Sequence, residues 1–139
     1  MLRFLIGGLL IVHGLITVAQ SLGVFGRSTE PENPAWLNWW PTPVGRSWLL
    51  GSLGLEGTAF SWLVGALWVV GGIAFLGAGF GVLTHHEWWR TLAVVGALAS
   101  LVVLVPYFHP LYAFVTVLNI GILVALLWLS WPPATLVSA

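Results

Sequence analysis

Cysteine, lysine and aspartate are all missing from this chain of 139 residues, and charge of either sign is scarce. Without cysteine there is no disulfide framework, no thiolate metal site and no thiol chemistry. Charged side chains make up 6% of the residues, where a soluble domain carries about a quarter. So few cannot cover a surface facing water. With 59% of the residues hydrophobic, most of the surface is expected to face lipid. The four positive and four negative charges cancel, so nothing points to nucleic acid as a partner.

The charges that exist are Arg3, Arg27, Glu30, Glu32, Arg46, Glu56, Glu87 and Arg90. They leave three uncharged stretches, Phe4–Gly26, Gly57–His86 and Thr91–Ala139. A membrane-spanning helix needs ~20 mostly apolar residues to cross ~30 Å of hydrocarbon. The first two stretches hold one span each. The third holds two, divided by the turn Pro106-Tyr107-Phe108-His109-Pro110. The spacing predicts an all-α integral membrane four-helix bundle in one domain, residues 1–139, with spans near 4–25, 58–83, 89–107 and 111–131. Pro132-Pro133 stops the last helix. The N-terminal run, ending in Thr17-Val18-Ala19, has the outline of a secretory signal, but it is expected to be retained as the first span.

Residues 26–57 form the one long connection, and Asn33–Pro43 is too rich in proline for a regular helix. Its tryptophans, like Trp88-Trp89 and Trp128/Trp131, suit the headgroup layer, as an interfacial belt or as a lid over a cavity. Ser47–Leu55 is apolar but too short to cross, and is expected in the interface or beside the helices. Four spans place both termini on one side with Arg3 and Arg90, and Arg27 and Arg46 opposite. The arginines tie. The free amino terminus decides for termini in the cytoplasm and a plasma or inner membrane location.

Helices in lipid associate through close backbone contact and interhelical hydrogen bonds. The second span offers small residues at Gly57, Ser61 and Gly65, then Gly72 and Gly79, and Gly77 with Gly81; the third offers Ala93, Ala97 and the Gly96/Ser100 pair. These read as packing faces, not as a nucleotide loop. Polar residues in hydrocarbon should face the bundle interior. His13, Thr17 and Gln20 share one face of the first span, and Tyr112, Thr116 and Asn119 share one face of the last. In antiparallel helices Asn119 comes level with His13–Thr17 and Thr116 with Gln20, which predicts a polar seam between the two.

At the long-loop side Glu56, His109 and Tyr107 gather, and with Gln20 and Tyr112 they would line a pocket mouth under the tryptophan loop. A carboxylate, an imidazole and a phenol there would move protons or hold a quinone-like head group. The plainer readings are a solvated Glu56 at a helix start, an interface His109, and a His13 acting as interhelical glue. The candidate ligand-binding set is therefore His13, Gln20, Glu56, His109, Tyr112 and Asn119. Haem needs two imidazoles at similar depth for bis-histidine ligation, and only His13 is near the midplane, which leaves single-histidine ligation of haem or a chlorin. In His85-His86-Glu87 neighbouring side chains would diverge by ~100° on a helix, so no metal site is expected.

The opening Leu2-Arg3-Phe4-Leu5-Ile6-Gly7-Gly8, with Val12-His13-Gly14-Leu15, resembles the first helix of the DoxX-like membrane proteins. Their four-span layout, long first connection and glycine-rich second span are also similar. The chain departs from them at Ile16-Thr17-Val18, where members often carry a lysine. The resemblance implies a small membrane partner of oxidoreductases, some linked to thiosulfate oxidation with quinone. The leading expectation is a non-catalytic accessory subunit that packs in or anchors a larger membrane oxidoreductase among other membrane subunits. A quinone-binding redox-coupling protein comes second and a small-solute transporter third. No inverted repeat supports transport, and no nucleophile–base arrangement supports a hydrolase.

Overall fold

The long uncharged runs, rich in leucine, valine and alanine, become long helices. A computed structural model describes residues 1–26, 32–55 and 57–133. The helices are α1 (Leu2–Gly26), a short α2 (Trp48–Ser52), α3 (Thr58–Leu83), α4 (Trp89–Leu104) and α5 (Ala113–Leu123). A 3₁₀ turn, Pro110–Tyr112, leads into α5, and a π turn, Val124–Trp128, continues it. No strand occurs among the described residues. Three stretches are long and apolar enough to cross a membrane: Leu2–Leu22, Ala59–Leu83 and Pro110–Trp128. The fourth apolar helix, α4, has 16 residues. It ends at Leu104, short of the expected 107: Val105 still has helical backbone and bonds the Leu101 carbonyl, but Pro106 has no N–H with which to continue the ladder.

Glycine sets how the helices meet. A Cβ on Gly72 of α3 would lie 2.9 Å from the Gly14 carbonyl oxygen of α1, and one on Gly79 would lie 2.7 Å from that of Gly7. Gly7 pairs with Gly79 and Gly14 with Gly72, so α1 and α3 run antiparallel with backbones in contact at two points seven residues apart. The seven-residue step on α3 was legible in the sequence; its partners Gly7 and Gly14 on α1 stood in the motif of the resemblance and not among the packing faces. On another side of α3 a Cβ on Gly71 would meet Ser100 Oγ of α4 at 3.0 Å, and one on Gly96 would meet Phe75 at 3.0 Å. With neighbours on two sides, α3 has half its span buried, against 28% for α1 and 6% for α5.

The expected packing face is shorter than its sequence pattern. A Cβ on Gly57 would meet nothing within 4 Å, and Ser61 is exposed. The core groups Leu10, Phe75, Ala78, Val82, Trp89, Ala93 and Ala97 around α3. Trp89, expected at an interface level, is thus a core residue at 5% exposure, while Trp88 beside it is 43% exposed. A second cluster, Val64, Trp68, Val103 and Leu104, sits toward the α4–α5 turn.

The α3–α4 turn closes as a Schellman motif. The His86 N–H donates to the Gly81 carbonyl at 2.9 Å, and the His85 N–H to that of Val82 at 3.4 Å. His85 has φ +61°, the left-handed region usually given to glycine. Its ring bonds the guanidinium of Arg3, tying the start of α1 to this turn. Arg90 reaches the Pro132 carbonyl, so the same end gathers both termini of the bundle.

Candidate functional site

Two polar centres stand out, about 15 Å apart along α5 at 1.5 Å per residue, since ten residues separate Asn119 from His109. The first is at mid-helix. His13 Nε2 lies 3.3 Å from Asn119 Oδ1, and both side chains are buried. Asn119 Nδ2 donates to the Val115 carbonyl at 2.9 Å, which leaves Oδ1 as the acceptor facing the imidazole. His13 therefore carries its proton on Nε2. The edge of Phe75 packs against the ring, with centroids 4.5 Å apart.

The neighbouring hydroxyls do not extend this seam across the bundle. Thr17 donates to the His13 carbonyl at 2.7 Å, and Thr116 to that of Tyr112 at 2.9 Å, each within its own helix. Ser100 Oγ, fully buried on α4, has no hydrogen-bond partner among the described residues. An iron ligated through His13 Nε2 would first have to displace the Asn119 bond.

The second centre is the joint between the long loop and the α4–α5 turn. His109 is 1% exposed. Its Nδ1 accepts the Leu111 N–H at 3.3 Å, capping the turn that opens α5, so the proton sits on Nε2 and points to Asn33 Oδ1 at 3.1 Å. Asn33 is the hub. Its Oδ1 also accepts the Val44 N–H at 3.1 Å, and its amide donates to the carbonyls of Trp40 at 3.3 Å and Thr42 at 3.2 Å. One side chain thus shapes the proline-rich loop and fastens it to His109. Trp40 adds edge contacts to Phe108 and His109, with ring centroids 5.9 and 6.2 Å apart. Removal from water holds the His109 imidazole below its ordinary pKa, because the charged form loses most by burial.

Two more loop side chains close the end of α4. Ser47 Oγ donates to the Pro106 carbonyl at 2.8 Å while accepting the Leu50 N–H at 2.9 Å as the N-cap of α2. Trp48 Nε1 donates to the Val105 carbonyl at 2.9 Å. The helical ladder is broken at Pro106 and leaves these carbonyls open to such donors, that of Val105 taking also the Phe108 N–H at 3.4 Å. Ser47–Leu55 accordingly docks on the turn. Trp36 and Trp39 remain outside, at 69% and 68% exposure.

Of the six candidate residues, His13 and Asn119 meet at the mid-helix centre, and His109 and Tyr112 meet at the joint, with rings 6.2 Å apart. Gln20 is half-buried on α1, and Glu56 lies outside the described residues. Both nitrogens of His109 are engaged, Nε2 with Asn33 of the loop and Nδ1 with the turn that opens α5. Sequence reasoning missed Asn33, whose place amid prolines and tryptophans was the available signal. Near the joint a cavity of about 160 Å³ is lined by Arg46, Ser47, Phe60, Ser61 and Tyr107, among others. Among the described residues no three His, Asp or Glu side chains gather as a metal site requires. Comparison with protein-family models, with curated proteins and with solved structures found no match.

Proposed function

We propose that the chain crosses the bilayer four times and serves as a non-catalytic subunit that packs in, or anchors, a larger membrane oxidoreductase assembly. The observation that carries this reading is α5. It gives its own bundle one fully buried residue, Asn119, and leaves Phe114 and Val117 outside at 77% and 67% exposure, as the π turn that continues it leaves Trp128 at 85%. Such a face suits lipid or a helix of a neighbouring subunit, where close packing is the main attraction. The polar groups of both centres are turned to holding the fold together. The DoxX-like opening of α1 adds the expectation of an oxidoreductase partner.

A photo-crosslinking residue at Val117, followed by extraction in mild detergent, tests the reading. A cross-link to another membrane protein that co-purifies supports it; a chain recovered alone and linked only to lipid rejects it. Both termini are placed in the cytoplasm, and the cysteine-free chain makes this measurable. Thr84→Cys should then label from the cytoplasmic side and Ser52→Cys from the other.

The 160 Å³ cavity supports a second reading, a site for a quinone-like head group. Its volume is below the ~300–1,000 Å³ of drug-sized pockets, which suits a single ring with its tail outside. The Tyr107 hydroxyl and the Arg46 guanidinium are donors for quinone carbonyls. Tyr107→Phe and Arg46→Gln should weaken quinone binding, and unchanged binding in both rejects this reading.

A further inference from the structure

At the opposite end from the joint, α1, α4 and α5 leave a crevice of about 80 Å³. Ile6 and Leu10 come from α1, Ala93 from α4, and Ile122, Ala125 and Leu126 from the α5 rod. The walls are apolar throughout, which offers a polar head group no partner, while a length of hydrocarbon chain fits. Protein interiors fill such gaps, and an unfilled one forfeits dispersion contacts on every wall. Ala93 and Ala125 keep it open where larger side chains would close it.

The rim of the same crevice is cationic. Trp89 and Pro132 both line it. Arg90 bonds the Pro132 carbonyl and stands 5.1 Å over the Trp89 ring, which places its guanidinium at the edge. Arg3 lies one turn before Ile6 and bonds His85 in the α3–α4 turn. A guanidinium has five N–H donors, so each arginine keeps donors beyond these bonds. Among the described residues Glu87 is the only carboxylate at this end, against the two arginines. Trp88 and Trp131, 43% and 46% exposed, stand at headgroup level around them.

We infer that this crevice holds an acyl chain of one anionic phospholipid, whose phosphate is met at the rim by Arg90 and Arg3. The charge of the rim selects the head group, and the apolar walls select the chain. The inference rests on the membrane reading but not on any oxidoreductase partner.

The test uses the full chain in nanodiscs of equal phosphatidylglycerol and phosphatidylcholine, with retained lipid read by native mass spectrometry. The expected result is one retained phosphatidylglycerol per chain, in clear preference to phosphatidylcholine. Arg90→Gln should lower the ratio of the two about fivefold, as removal of one cation near an anionic head group does, while Arg90→Lys keeps it. Ala125→Trp should abolish retention of both lipids by filling the crevice. A phosphatidylglycerol with a photoactivatable chain gives a readout on the unaltered protein, should that variant fail to fold. Its cross-links should concentrate on Ile6–Leu10 and Ile122–Leu126. Equal retention of the two lipids, an unchanged ratio in Arg90→Gln, or cross-links spread evenly over the helices would overturn the inference. A chain that never enters the nanodisc overturns the membrane reading instead.

Discussion

Replacing Gly72 by alanine should weaken the protein although alanine is the better helix former. The new Cβ would sit 2.3 Å from Val18 Cγ2, 2.8 Å from the Val18 backbone nitrogen and 2.9 Å from the Gly14 carbonyl oxygen. Valine has one strongly preferred rotamer in a helix, and backbone atoms retreat only if α1 moves as a whole. Overpacking of this kind costs roughly 1–3 kcal/mol. Alanine returns about 1 kcal/mol through helix propensity. Gly8, on the partner helix α1, is the internal control, because a Cβ there meets nothing within 4 Å. Gly8→Ala gains the same propensity without the clash, so the difference between the variants isolates the contact. That difference should be roughly 1–3 kcal/mol. Reversible unfolding in mixed micelles with a rising fraction of denaturing detergent, followed by circular dichroism, measures it. Gly14→Ala combined with Gly72→Ala should cost less than the sum, since the first already separates the helices. If Gly72→Ala and Gly8→Ala unfold within about 0.5 kcal/mol of each other, the glycine contact does not hold α1 against α3.

Three further outcomes follow from the polar centres. Asn119→Leu leaves the His13 Nε2–H unpaired and should cost about 1 kcal/mol in the same unfolding assay; adding His13→Phe should recover part of it, and strict additivity would dissolve the pair. His109 has a folded pKa below its unfolded 6.5, so the unfolded state binds more protons between the two values. Stability is therefore fully present above about pH 6.5 and falls as pH drops through the folded value; His109→Gln should flatten that part of the profile, and an unaltered profile in the variant would remove His109 as its source. Ser47→Ala loses the cap of α2 and the donor to Pro106, and should destabilise the joint by about 1 kcal/mol, read as faster hydrogen exchange at the Leu50 amide; unchanged exchange would count against the clasp.

The helices themselves were legible because an uncharged run of the right length leaves a chain few alternatives. Phe4–Gly26 became α1 with only its ends displaced, and Gly57–His86 became α3. The pairing of His13 with Asn119 was legible for a related reason: polar side chains in an apolar helix have few places to go, and counting turns in antiparallel helices gives their depth. The loop was not legible. Its form depends on Asn33 meeting His109, 76 positions away, and no local pattern encodes that meeting. Tryptophan misled in one place, since Trp88 and Trp89 are identical in composition and opposite in burial. Which of two neighbours faces inward is set by three-dimensional packing: the Trp88 ring lies against Gly81 at the surface, while Trp89 joins the core with Phe75 and Ala93.

The joint also imposes an order on assembly. Ser47 and Trp48 depend on carbonyls 59 and 57 positions further along the chain, and Asn33 depends on a histidine further still. While the protein is being synthesised, the first connection emerges long before anything exists for it to grip. It can reach its final form only after the last hairpin has arrived, so a ribosome stalled before Pro106 would present α1, α3 and α4 with that segment still open to protease.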